Sequence, residues 1–157
     1  MNREKARVLV ADDDPSIRQL LCTIIRRERY EVDCVADGRA AVEHLGRNEY
    51  AVILLDLMMP RLDGFGVIDY LQKHPPAAKP IVLVITAYSD QKFKHVDPSI
   101  VAGVLRKPFE IEEVGSLVRL CLNGFDSESS RKLYLSEDSA IRDFARQRTS
   151  GKGSQDN

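Results

Sequence analysis

The sequence lacks an excess of either charge: 23 Lys and Arg stand against 24 Asp and Glu, a net of −1. That balance gives no general attraction to nucleic acid or to a membrane surface, so neither direct nucleic-acid binding nor membrane insertion is expected, and any partner must be recognised locally. Cysteine is scarce. Cys22, Cys34 and Cys121 form an odd, dispersed set without metal-ligand spacing, which reads as free thiols in a reducing cytosol, packed as small hydrophobes, rather than as a disulfide framework. Long hydrophobic runs are also missing. None approaches the roughly 18 residues of a membrane span, and the charged start Met1-Asn2-Arg3-Glu4-Lys5 leads straight into an apolar run, so a soluble cytoplasmic protein is expected. No glycine-rich loop follows that first run, which argues against a Rossmann-type nucleotide-binding module.

What is present is a 43% hydrophobic composition arranged in short apolar runs that alternate with stretches of helical period. This rhythm predicts strand-helix units and a parallel sheet covered on both faces. Val8 to Ala11 is the first strand, after which Asp14 and Pro15 suit the cap and first position of a helix with an apolar stripe of Ile17, Leu20, Leu21, Ile24 and Ile25. Val32 to Val35 is the second strand. Asp37 caps a second helix that Gly46 should stop, and Val52 to Leu55 runs into Asp56 as a buried third strand. Pro60 and Asp63-Gly64 mark a loop before a helix over Phe65 to His74, which Pro75 and Pro76 end. Ile81 to Ile85, ending at Thr86, is strand four. Ser89 to Ile100 carries little apolar period and is expected to be a short or irregular helix. Gly103 to Leu105 is a brief fifth strand, and Ile111, Val114, Leu117, Val118, Cys121 and Leu122 are the stripe of a closing helix.

Asp12, Asp13, Asp56, Thr86 and Lys107 all fall at or just after strand ends, the edge where open α/β sheets bind ligands. Gathered carboxylates repel one another, and a divalent oxygen-seeking cation removes that cost; Mg²⁺ suits a site where few carboxylates share the coordination sphere with a phosphate. Asp56, ionised near neutral pH, can attack phosphorus once a metal and the Lys107 ammonium neutralise the phosphoryl oxygens. The Thr86 hydroxyl can donate to the same oxygens. Asp14 is read only as a helix cap, and His44, His74 and His95 as ordinary exposed side chains.

The ordered set Val8-Leu9-Val10-Ala11-Asp12-Asp13-Asp14-Pro15, Leu54-Leu55-Asp56-Leu57-Met58-Met59-Pro60, Asp63-Gly64, Ile85-Thr86-Ala87 and Arg106-Lys107-Pro108-Phe109 closely resembles the receiver domain of two-component response regulators. The resemblance covers about residues 5–123. It implies a flavodoxin-like, doubly wound sheet of five parallel strands with five helices. It further implies that Asp56 accepts a phosphoryl group from a histidine kinase or phosphotransfer protein. Asp13 and Asp56 would bind Mg²⁺ through their side chains, Asp12 largely through water, and Met58 through its backbone carbonyl. Thr86 and Lys107 would contact the phosphoryl group, and the Lys107-Pro108 bond would be cis.

One departure concerns signalling. Family members commonly carry an aromatic residue three positions before the lysine, and here that position is Val104. Reordering of 89–100, or Phe93 or Tyr88, would have to serve instead. Tyr88 and Met58 occupy positions that in the family influence hydrolysis of the aspartyl phosphate, and their bulk implies slow self-dephosphorylation.

Residues 124–157 read as a polar extension with one short helix over Ile141, Phe144 and Ala145, too small for a helix-turn-helix or enzymatic output domain of roughly 50 residues. The expected output is therefore a changed affinity for a downstream protein partner, by a monomer or a weak phosphorylation-dependent dimer. The other readings are a phosphorylation-independent interaction scaffold and a haloacid-dehalogenase-like phosphatase. The latter needs a general acid two residues after the nucleophile, where this chain has Met58.

Overall fold

The computed structural model describes residues 6–87 and 99–123. Their elements follow in the order β1 (Arg7–Ala11), α1 (Pro15–Arg27), β2 (Glu31–Val35), α2 (Gly38–Arg47), β3 (Val52–Asp56), α3 (Gly64–Lys73), β4 (Ile81–Thr86), β5 (Val101–Arg106) and α4 (Ile111–Asn123). The strands form one five-stranded sheet in the order β2-β1-β3-β4-β5, and every pairing is parallel. This is the flavodoxin-like arrangement expected from the sequence. Four helices lie among the described residues; the helix expected over 89–100 falls mostly on residues outside them, with Ser99 and Ile100 in a turn. The expected helix over Ile141 to Ala145 also lies outside the described residues.

Strand alternation explains the two layers. Val8, Val10, Val52, Leu54, Leu83 and Ile85 point to the face covered by α1 and α4, whereas Leu9, Ala11, Ile53, Leu55, Val82 and Val84 point to the face covered by α2 and α3. β3 lies in the middle of the sheet and is buried along its whole length. It delivers Asp56 at its end into an interior position.

The helix starts follow the cap residues. Asp14 accepts from the backbone N–H groups of Ser16 and Ile17 with Pro15 behind it, Asp37 accepts from Ala40, and Asp63 accepts from Gly66. Gly46 does not stop α2: the helix runs one residue further and ends where the Asn48 N–H donates to the His44 carbonyl. β5 is longer than expected because Val101 to Arg106 pairs along β4, with a register shift between Val82 and Leu83. Ile111 is half exposed rather than part of the buried stripe of α4, and Leu120 is buried instead. Helical side chains lean toward the N-terminus, so a residue in the first turn reaches past the helix rather than under it.

Two expectations about polar and sulfur groups need correction. Cys22 on α1 and Cys34 on β2 are not separate thiols but a disulfide with Cα atoms 6.7 Å apart, and Cys121 is a buried thiol outside that pair. Cys34 follows Cys22 by twelve positions, but strand two folds back beside α1 and brings them together. Nor is His44 merely an exposed side chain. Its Nδ1 lies 3.2 Å from the hydroxyl of buried Tyr50, which donates to Asp33 Oδ2 at 2.6 Å. Burial, then the Asp33 carboxylate, hold the Tyr50 phenol well above its ordinary range. Arg7 joins the same cluster through Asn48 and Glu31, so β1, β2, α2 and the turn before β3 are tied together on the side of the sheet away from the acidic edge.

Candidate functional site

Three loops meet at the carboxyl edge of β1, β3 and β5. Asp12 directly follows β1; its N–H donates to the Val35 carbonyl, which fixes the chain as it leaves the sheet, and its Oδ1 accepts from the Asp14 N–H at 2.9 Å. Asp12 is 1% exposed and Asp56 4%, while Asp13 faces solvent. Carboxylate oxygens of Asp12, Asp13 and Asp56 lie within 4.8 Å of one another. The grouping anticipated from strand ends is thus present as geometry.

Lys107 reaches this cluster from the loop after β5. Its Nζ lies 2.9 Å from Asp12 Oδ2 and donates to Asp56 Oδ2 at 3.2 Å. The Lys107-Pro108 peptide is cis, and the Lys107 N–H donates to the Thr86 carbonyl, so the lysine backbone is anchored to the end of β4. Thr86 is completely buried at that end, one strand away from Asp56. Met58 donates its N–H to Asp56 Oδ1 at 3.1 Å, and its side chain is half exposed.

Asp63-Gly64 has a specific steric role. A Cβ at Gly64 would lie 2.5 Å from the Asp56 carbonyl oxygen and 2.7 Å from Leu57 Cα, so only glycine lets α3 begin against the end of β3. Gly38 does the same for the far side of the loop, where a Cβ would meet the Leu62 carbonyl oxygen; instead the Gly38 N–H donates to that oxygen at 2.9 Å. Arg61, at φ 67°, completes the docking by pairing with Asp37 at 3.2 Å. The loop that carries Met58 is therefore held at both ends.

The electrostatics of the site are set by burial. Burial raises the Asp56 carboxyl above its ordinary value, the Met58 N–H opposes this, the Asp12 charge adds to it and Lys107 opposes it again. For Lys107 burial alone would act downward, but the close Asp12 carboxylate together with Asp56 leaves the ammonium held above its ordinary value. A charged lysine therefore sits against two buried carboxyls.

Asp12 Oδ2 is buried and makes no hydrogen bond, so its contact with Lys107 is an ion pair at an angle unsuited to hydrogen bonding. An acceptor in that condition, beside two further carboxylates, suits a hard cation that takes oxygen ligands. One neighbour was not apparent from the sequence. Arg18, one turn into α1, donates to the Asp12 carbonyl at 2.9 Å and braces the acidic loop from below.

A five-stranded parallel sheet in this order, with carboxylates and a cis-linked lysine at its carboxyl edge, defines a receiver fold. The sequence matches the response regulator receiver domain over residues 8–119. The chain belongs to that family, the receiver domains of two-component response regulators. It is 36% identical over 128 residues to the probable transcriptional regulator ycf27 of Porphyridium aerugineum, covering 81% of this chain and 52% of that protein. Among solved structures, the Francisella response regulator 1452 receiver domain is 31% identical with a TM-score of 0.67, covering 76% of this chain and 98% of that one. The response regulator TrrA of Thermotoga maritima, in complex with Mg²⁺-BeF, is 26% identical with a TM-score of 0.64, covering 74% of this chain and 98% of that one. The chain spans about half the length of the curated relatives it matches. Among the described residues no helix is long and apolar enough to cross a membrane.

Proposed function

We propose that Asp56 is the phosphoryl acceptor of a Mg²⁺-dependent switch, fed by a histidine kinase or phosphotransfer protein. The observation that carries this reading is Asp56 itself, a buried carboxylate whose Oδ2 is already touched by the Lys107 ammonium while Asp12 presents an unbonded oxygen beside it. An Asp56 oxygen attacks phosphorus, the P–N bond of a phosphohistidine breaks, and the imidazole leaves with the electron pair. Lys107 offers its charge to the phosphoryl oxygens as they approach, and the buried setting strengthens that interaction. Asp13 and Asp56 through their side chains, the Met58 carbonyl, and Asp12 largely through water would hold Mg²⁺, which would supply the charge neutralisation that three carboxylates and a phosphoryl group require. Such a protein catalyses only its own phosphorylation and dephosphorylation.

The readout follows from the β4 and β5 ends. Thr86 donates its hydroxyl to the phosphoryl group and draws the end of β4 with it. The Lys107 N–H on the Thr86 carbonyl couples that movement to the loop after β5. Val104, half-buried against the α2 and α3 layer, has too few rotatable bonds to swing as an aromatic side chain would, so the change passes through the backbone to a surface that binds a protein partner. The half-exposed Met58 side chain stands beside the acceptor and slows water attack on the aspartyl phosphate. A reducing cytoplasm is the compartment where such a chain would meet its donor.

Intact mass after incubation with acetyl phosphate and Mg²⁺, for wild type and Asp56→Ala side by side, tests the reading. A phosphoryl adduct on wild type alone supports it. No adduct on folded wild type given both acetyl phosphate and a phosphorylated histidine donor overturns it in favour of a phosphorylation-independent scaffold.

A further inference from the structure

The disulfide between α1 and the edge strand plays no part in the chemistry at Asp56, and its two sulfurs stand in unlike settings. Cys22 is 3% exposed in the α1 layer, whereas Cys34 is exposed on β2, whose only strand neighbour among the described residues is β1. The Cα separation of 6.7 Å lies within the range a disulfide spans without backbone movement. The fold does not need the bond to place α1: Leu21, Ile24 and Ile25 bury the helix against Val8, Val10 and Leu54 on their own. We infer that Cys22 and Cys34 are a reversible thiol–disulfide modification site, oxidised by a small disulfide of the glutathione class and reopened by small thiols.

The chemistry follows from which sulfur can be reached. The Cys34 thiolate, at the surface, attacks oxidised glutathione and releases one glutathione thiolate, which takes up a proton. The Cys22 sulfur then attacks the Cys34 sulfur of the mixed disulfide, and the second glutathione leaves. Two electrons pass from the cysteine pair to the oxidant, and the two thiol protons end on the two glutathione molecules. Reduction runs the same path backward. In a reducing compartment a disulfide of this kind is a signal rather than a permanent staple.

The bond also has mechanical reach. α1 starts at the Asp14 cap immediately after Asp12 and Asp13, and its Arg18 holds the Asp12 carbonyl. Fastening Cys22 to the edge strand therefore restrains the helix from which the acidic loop hangs. The thiol chemistry stands independently of phosphorylation at Asp56.

The test equilibrates the full chain with glutathione buffers of rising oxidised fraction, then quenches with N-ethylmaleimide under denaturing conditions and reads intact mass. All three cysteines should take the label in the reduced protein and Cys121 alone in the oxidised protein, with added dithiothreitol restoring three without unfolding. Cys34→Ser should take two labels in every buffer. Hydrogen exchange of α1 amides should slow at least threefold on oxidation of wild type and not at all in Cys34→Ser. Three labels in all buffers, a glutathione adduct that never closes, or a bond that dithiothreitol opens only in unfolded protein would each overturn the proposal.

Discussion

Replacing Asp56 by Asn should stabilise the protein in the absence of divalent cations. At 4.8 Å, the largest separation in the cluster, repulsion between Asp56 and Asp12 is about 3.5 kcal/mol at an effective dielectric of about 20. Asp13 faces solvent and adds only about 1 kcal/mol at the dielectric of water. Against these stands the attraction to Lys107 at 3.2 Å, about 5 kcal/mol on the same scale. The pairwise charges therefore come close to cancelling, and the cost of dehydrating the Asp56 carboxylate, several kcal/mol for a buried ion, decides the sign. That conclusion agrees with a carboxyl held above its ordinary range chiefly by burial. Asn keeps an oxygen for the Met58 N–H and leaves Lys107 with Asp12, so the expected gain is about 2 kcal/mol, or roughly 5 to 10 °C in Tm.

The pH dependence carries the same sign. A carboxyl whose folded value is raised binds more protons in the folded state, so wild type loses stability as pH rises from the ordinary value of 3.8 through the folded one. The advantage of Asp56→Asn should thus be absent at low pH, grow through that interval and stay constant above it. Magnesium should narrow or invert the gap, because a cation at one hundred times its Kd stabilises wild type by about 2.7 kcal/mol and the variant has lost a ligand. Calorimetry at several pH values, in EDTA and in Mg²⁺, reads all of this. A lower Tm for Asp56→Asn in EDTA at neutral pH would refute the claim that dehydration outweighs the lysine.

Lys107→Met should destabilise the protein by about 3 kcal/mol, since it leaves two buried carboxyls without their cation; urea unfolding with and without Mg²⁺ should show the loss and a partial rescue. Gly64→Ala should cost about 3 kcal/mol, because the new Cβ meets the backbone of Asp56 and Leu57 rather than a flexible side chain; a Tm unchanged within a degree would show that the loop yields freely. Tyr50→Phe removes the donor to Asp33 and should cost about 1 to 2 kcal/mol in chemical denaturation, with phosphoryl uptake unchanged because the cluster lies away from the acidic edge.

The sheet and its acidic edge were legible because both are local in sequence. An apolar run that ends in Asp, as at Ala11-Asp12 and Leu55-Asp56, states a strand and the point where the chain turns at its end. Once the strands are parallel, those ends must share one edge, and Lys107 and Thr86 arrive there by the same rule. The caps at Asp14 and Asp37 were legible for a similar reason, since each bonds to an N–H two or three residues ahead; Asp63, read from the sequence only as part of a loop, caps α3 in the same way.

What escaped the sequence depends on contacts that no periodicity encodes. Gly46 has the identity of a helix stop, but a glycine ends a helix only where the backbone turns left-handed, and the packing of α2 beside α3 carries the helix past it. Tyr50, Asp33 and His44 look like unrelated surface residues until β1, β2 and α2 are assembled. Cys22 and Cys34 read as unrelated because the three cysteines form an odd, dispersed set, yet Cys34 stands opposite Val10, whose side chain packs in the same layer as Cys22. The register of β2 on β1 thus decides whether these sulfurs meet. A slip of one residue would turn Cys34 to the opposite face of the sheet, out of reach of α1.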